Sequence, residues 1–220
     1  LEIVNHIGQQ SREIAQGVYQ NEGWGDQGIF FGYAEPNAET CGMPLDHAIA
    51  KRLNKSLFES GIGGLDIKTQ IITCDDKIQH VIAAVPTLSD NTKDIEAYIR
   101  TVLKGDYSLI VNGTGVYKSH SSIADCGVTG RKLAVDFYGG NEKVGGGSPW
   151  TKDGSKADLT LNLLARNIAK KTAFELGEKV ETSIACCIGK NDIFVSTHIL
   201  DCKNTLVEEK VVSVTPKELI

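Results

Sequence analysis

The 220-residue chain has a single methionine, Met43, only five prolines, and no apolar run approaching the 18 or so residues that a membrane-spanning helix needs. No basic-plus-apolar leader opens it either, so the expectation is a soluble, cytoplasmic protein with no membrane partner. Positive charge is not in excess: 23 Lys and Arg face 28 Asp and Glu, a formal charge of −5. Binding nucleic acid along its phosphate backbone requires a broad basic face, so that class is set aside, while a local basic pocket for one polyphosphate stays allowed. The six cysteines, at 41, 74, 126, 186, 187 and 202, show neither C-x-x-C spacing nor a matching Cys/His cluster. They are expected to be reduced thiols rather than zinc ligands. Low hydrophobicity is missing as well. Apolar residues make up 41% and charged residues 23%, which excludes disorder as the main state. Because the chain starts at Leu1 and its one methionine is residue 43, it is expected to be a processed protein, a fragment, or one subunit of a split protein.

What is present reads as α+β. Residues 1–8 suggest a strand remnant followed by a polar segment, and GIFFGYAE (28–35) is β-branched and aromatic enough for a strand. Leu45, Ala48, Ile49, Leu53 and Leu57 recur at helical spacing up to Gly61. Residues 65–73 and 78–85 alternate around a CDDK turn and predict a hairpin; 90–105 predicts a second amphipathic helix, and 107–113 a returning strand. A glycine-dense tract covers 113–154. Beyond it, 155–177 carries the longest helical pattern, followed by hairpin strands at 179–189 and 192–200. Helix then hairpin thus occurs twice, which predicts two helix-backed, mixed or antiparallel sheet units with a boundary near 113–122.

Chemistry concentrates in three segments. DCGVTGRK (125–132) is neither a P-loop nor a G-x-G-x-x-G that follows a strand, and its lone GxxG is weak support for a KH clamp. Its glycines allow a tight turn, from which Arg131 and Lys132 project adjacent cations suited to polyphosphate oxygens; an ordinary solvated pair fits equally. VGGGSPWTKDGSKAD (144–158) adds Lys152, Lys156 and Asp158, the last two at a helix start that favours an anion. A carboxylate beside cations suits Mg²⁺ with triphosphate, although Asp158 also reads as a plain helix-start carboxylate. In GWGDQGIFFGYA (23–34), Asp26 is either part of a tight turn or a fixed acceptor at a strand mouth.

Together GDQGIFFGYA, DCGVTGRKLAVDFYGG and GGGSPWTKDGSKAD, with the opening IGQQSREIAQGV, resemble the S-adenosylmethionine synthetase (methionine adenosyltransferase) family, in order and over essentially the whole chain. The resemblance implies an S-adenosylmethionine synthetase-like α+β fold of pseudo-threefold, three-domain architecture. In it, 1–20 would be a remnant of the N-terminal domain, 21–117 the central domain and 118–220 a truncated C-terminal domain. It also implies ATP and L-methionine as substrates, Mg²⁺ and optionally K⁺ as cofactors, and a homodimer or tetramer with active sites between subunits. A hetero-oligomer with a chain that supplies the missing N-terminal segment is the other assembly. By position, Gln10 would contact methionine, and Asp26 would be an active-site aspartate. Asp66 and Lys68 match a D-x-K segment whose lysine reaches phosphate, Tyr117 would stack near adenine, and Asp125 would meet both substrates. Arg131, Lys132 and Lys152 match the triphosphate cations, Lys156 a lysine near methionine and phosphate, Ser148 a substrate-binding position and Asp158 a magnesium ligand.

Departures from the family pattern are as specific. The His-Pro-Asp-Lys segment, the potassium-binding glutamate, a methionine-contacting glutamate and the terminal G-H-F-G-R region have no counterpart. Glu13, Val116, Val144, Ser148 and Leu159 replace aspartate, arginine, histidine, alanine and arginine. Formation of S-adenosylmethionine with release of phosphate and pyrophosphate, helped by a complementing N-terminal segment, is the first expectation. A non-catalytic regulatory or interaction subunit is the alternative, and a stand-alone polyphosphate hydrolase a weaker third.

Overall fold

A computed structural model describes residues 3–6, 8, 11–16, 23–116, 118–128, 130–140 and 142–220. Its elements, in chain order, are α1 (Arg12–Ala15), β1 (Gly28–Ala34), α2 (Leu45–Glu59), β2 (Lys68–Cys74), β3 (Lys77–Ala84), α3 (Thr92–Val102) and β4 (Ser108–Val111). There follow α4 (Leu133–Asp136), α5 (Ala157–Leu176), β5 (Val180–Cys186), β6 (Asp192–Ile199), β7 (Leu206–Ser213) and α6 (Pro216–Leu219). The strands form a four-stranded sheet of order β1-β5-β6-β7 and a three-stranded sheet of order β2-β3-β4. Each belongs to its own compact unit: residues up to 36 with 132–137 and 142–220 make the four-stranded unit, and 37–131 with 138–141 the three-stranded one.

In the three-stranded unit, α2 and α3 turn their apolar stripes onto the sheet, and Leu53, Leu57, Val81, Val85, Ile95 and Ile99 are fully buried there. Burying each such side chain contributes about 1.5–3 kcal/mol against the entropy of ordering. The β2–β3 hairpin is antiparallel, whereas β4 runs parallel to β3 after the α3 crossover, so this sheet is mixed. Asn112 closes its end: its side chain accepts from the Val85 amide at 2.8 Å and donates to the Val85 carbonyl at 3.0 Å.

The four-stranded unit is antiparallel throughout, with α5 across one face. Ala157, Leu161, Ala165, Ala169 and Ala173, four apart and all buried, form the inward stripe of α5. Small residues let the helix lie close to β1. At Gly32 the approach is so tight that a Cβ would run into the Ala165 carbonyl and the Arg166 amide. Gly177 (φ +73°) ends α5, its amide donating to the Ala173 carbonyl at 2.9 Å.

Several expectations differ from these findings. Of 1–8, the described residues 3–6 and 8 form no strand, and a one-turn helix follows at Arg12–Ala15. Strand β1 does not join the three-stranded sheet whose strands follow it in sequence; it pairs with β5, Gly28 opposite Cys186 through Ala34 opposite Val180. β7 and α6 add a strand and a capped turn beyond the second hairpin. No helix of the described residues is long and apolar enough to cross a membrane.

Candidate functional site

In the four-stranded unit the chain reaches the C-terminal end of the glycine tract through Gly145, Gly146 and Gly147. Gly145 packs so closely that a Cβ there would stand 3.0 Å from the Ile29 carbonyl, Phe30 Cα and Asn162 Oδ1. Gly147 has φ +79°, and its Cβ would fall on the Asp158 carboxylate. Two constraints, backbone sign and space, therefore demand glycine at 147. Past this tract Asp153 makes an Asx turn: its Oδ1 accepts from the Ser155 amide at 2.8 Å and from the Ser155 hydroxyl. Those two bonds, the hydroxyl's first, hold the Asp153 carboxyl below the usual carboxylate range. The turn feeds α5, with Lys156 as its N-cap residue and Asp158 in its first turn.

Here the sequence-derived residues meet. A cleft of about 300 Å³ is lined by Gly25, Asp26, Lys152, Ser155, Lys156, Ala157 and Asp158. Lys152 Nζ forms an ion pair with Asp158 Oδ2, and the Asp158 side chain is only 16% exposed against 35% for Lys152. The pair is thus held at the wall of the cleft, where a carboxylate at a helix N-terminus is stabilised by the first-turn amides. Asn162, buried one turn on, donates from Nδ2 to the Asp158 carbonyl at 2.6 Å. Asp26, which also lines the cleft, is exposed, and its Oδ1 accepts from the Gln27 amide at 2.8 Å. The Asp26 carbonyl accepts from Cys186 Sγ at 3.4 Å, and burial pushes that thiol up to about 11. Cys186 therefore stays protonated and holds the Asp26 turn as a neutral donor rather than acting as a nucleophile.

The other described sequence-derived residues are not among those that line this cleft. In the three-stranded unit, Asp66 (φ +61°) precedes β2, and its Oδ2 accepts from the Ser121 amide at 2.8 Å; the Ser121 carbonyl in turn accepts from the Asp125 amide at 3.0 Å. One short segment thus ties Asp66 to the neighbourhood of Asp125. Lys68 is exposed at the start of β2, and Arg131 is exposed at the last residue of this unit before Lys132. Lys132, the N-cap residue of α4 in the four-stranded unit, is also exposed and does not line the cleft. Ser148 is half-buried, its hydroxyl accepting from Thr151 at 3.3 Å. Gln10 and Tyr117 lie outside the described residues.

Sequence reasoning missed Asp153, Ser155 and Asn162. Asp-x-Ser before a helix is a readable turn signal, but nothing in the sequence marks the Asn162 bond to its own helix backbone. As to metal, no group of three or more His, Cys, Asp or Glu among the described residues is arranged to hold one. Asp26 and Asp158 nonetheless give one cleft two hard-oxygen donors. That suits Mg²⁺, which is bound by one or two carboxylates with substrate phosphates and water completing its shell.

Comparison with known proteins points one way. Residues 120–218 match the family model described as S-adenosylmethionine synthetase, C-terminal domain. The S-adenosylmethionine synthase of Zymomonas mobilis is 32% identical, over 98% of this chain and 63% of its own length. That of Mycoplasmopsis pulmonis is 35% identical, over 85% of this chain and 56% of its own length. This chain thus spans about 60% of the curated relatives it matches. The Zymomonas alignment runs over 248 residues, more than the 220 present here, so the relative also carries internal stretches that this chain lacks. Among solved structures, an unusual S-adenosylmethionine synthetase from Campylobacter jejuni superposes with a TM-score of 0.74 at 27% identity, over 88% of this chain and 60% of its own. Its motifs, its fold and these matches all point to the S-adenosylmethionine synthetase family, with whose C-terminal domain residues 120–218 align.

Proposed function

We propose that this chain contributes the triphosphate-handling part of a methionine adenosyltransferase, in the cytoplasm, as part of an oligomer. The observation that carries the reading is the convergence of Asp26 with Lys152, Lys156 and Asp158, more than 120 residues later, on one cleft. In the proposed reaction the methionine sulfur attacks the ribose C5′ of ATP, and its lone pair becomes the new S–C bond. The C5′–O bond breaks, its electrons leave with triphosphate, and the sulfur becomes a sulfonium. A neutral thioether requires no general base, consistent with a cleft that holds cations and carboxylates but no histidine. Triphosphate is then hydrolysed to phosphate and pyrophosphate.

The work of these residues is electrostatic. Lys152 and Lys156 offset the charge that develops on the leaving triphosphate, and their fixed placement means little reorganisation at that moment. Asp158 holds Lys152 in position and, with Asp26, would hold Mg²⁺, which supplies hard Lewis-acid charge to the phosphate oxygens when bound. Arg131, Lys132 and Lys68 are proposed as further phosphate cations. Asp66, Asp125, Gln10, Tyr117 and Ser148 are proposed as substrate contacts. Potassium rests on the resemblance alone.

Mass-spectrometric assay of S-adenosylmethionine formed from ATP and methionine tests the reading, with the chain alone and mixed with an intact family enzyme. Product made by the chain, or product gained on mixing in a Lys152-dependent way, supports it. Stable co-elution with the intact enzyme and no added turnover supports the regulatory-subunit alternative instead.

A further inference from the structure

The three-stranded unit holds a second cleft, of about 420 Å³, that none of the described sequence-derived site residues lines. Its walls are the Gly61–Gly64 turn after α2, the Pro86–Ser89 segment, Asn91 at the start of α3, and Lys118 and His120. Two polar atoms in those walls, Asn91 Oδ1 and His120 Nδ1, are buried and have no hydrogen-bond partner among the described residues. Each such atom carries a desolvation cost that native structures seldom leave uncompensated.

The Asn91 orientation is set by its other end. Nδ2 donates to the Ile62 carbonyl at 3.3 Å, which leaves Oδ1 as the unmatched acceptor. Asparagine at an N-cap normally spends this oxygen on a first-turn amide, yet here it makes no cap bond. His120 packs closely against the glycine turn: a Cβ on Gly64 would stand 2.6 Å from its Nε2. Both residues line the cleft. Lys118 supplies an exposed cation beside them.

The geometry points to this cleft as a binding site for a small free amino acid, lined by other residues than the proposed triphosphate cleft. An oxygen that can only accept requires a ligand N–H or O–H. A lysine that can only donate requires an anion, and the imidazole nitrogen takes either. An ammonium and a carboxylate on one carbon meet these demands with the fewest atoms. The volume, at the lower end of ligand pockets, suits a small metabolite better than a dinucleotide.

The test is ligand-observed NMR and calorimetric titration of the whole chain with L-serine, L-aspartate, lactate and inorganic phosphate. Methionine is left out because the proposed reaction already uses it. An amino acid that binds, weakens by roughly tenfold or more in Lys118→Ala, and is indifferent to Lys152→Ala supports the site. Shifts in the Gly63 and Gly64 amides and the His120 ring on titration locate it without relying on any variant that unfolds the turn. Binding by none of the four, phosphate binding alone, or amino-acid binding that survives Lys118→Ala overturns it. Because no turnover is measured, this result stands apart from whether the chain makes S-adenosylmethionine.

Discussion

At the residue scale, two positions carry constraints that single substitutions expose. Gly147 meets the Asp158 carboxylate and has a left-handed backbone. Gly147→Ala is expected to cost about 1–2 kcal/mol from the backbone alone. It should also push Asp158 away from Lys152. Urea unfolding reads the first effect and triphosphate titration the second; a variant as stable and as tight as the parent removes the constraint. Cys186 is the other. Its thiol is held near 11 by burial, against an ordinary 9.0, so the folded state keeps a proton that the unfolded chain loses first. The resulting stability is fully present below about pH 9 and is lost as pH rises toward 11. Cys186→Ala should flatten that part of the alkaline stability profile. In the native protein at pH 8, a thiol reagent should modify Cys41, Cys74, Cys126, Cys187 and Cys202, all exposed, and reach Cys186 only on unfolding. Six fast thiols would contradict this.

At the scale of elements, α5 is the part on which the cleft depends: its N-cap presents Lys156 and its first turn Asp158, while its alanine stripe docks on β1. Gly32 sets that docking distance. Gly32→Ala should lower stability by roughly 1–3 kcal/mol, since a Cβ meets main chain that cannot rotate away. Thermal unfolding checks it, and an unchanged midpoint would mean that the helix has room to move. These long elements were legible because their apolar spacing is regular: α2, α3, α5 and both hairpins fall where the periodicity of the sequence places them. Strand β7 was not, for a physical reason. Seven of its eight residues are exposed, so LVEEKVVS shows no alternation for burial to impose. The pairing of β1 with β5 was hidden too, because it joins residues about 150 apart, and nothing in either segment names its partner. The cleft divides in the same way. Glycine and charge grammar marked Asp26, Lys152, Lys156 and Asp158, while Asp153 and Asn162 act through main-chain bonds that no side-chain pattern announces.

At the scale of the whole molecule, the chain spans about 60% of the curated relatives it matches, with the cation-bearing cleft in the four-stranded unit and the Asp66–Ser121–Asp125 link in the three-stranded one. The proposed function requires that the cleft of Asp26, Lys152, Lys156 and Asp158 take a polyphosphate. Isothermal titration of inorganic triphosphate with Mg²⁺ into the whole chain addresses it directly, with Lys152→Ala in parallel. Saturable, Mg²⁺-dependent binding to the parent is expected, weakening by about tenfold or more in the variant, the loss that follows removal of one charge-assisted contact. No binding to the parent, or equal affinity in the two proteins, would contradict it.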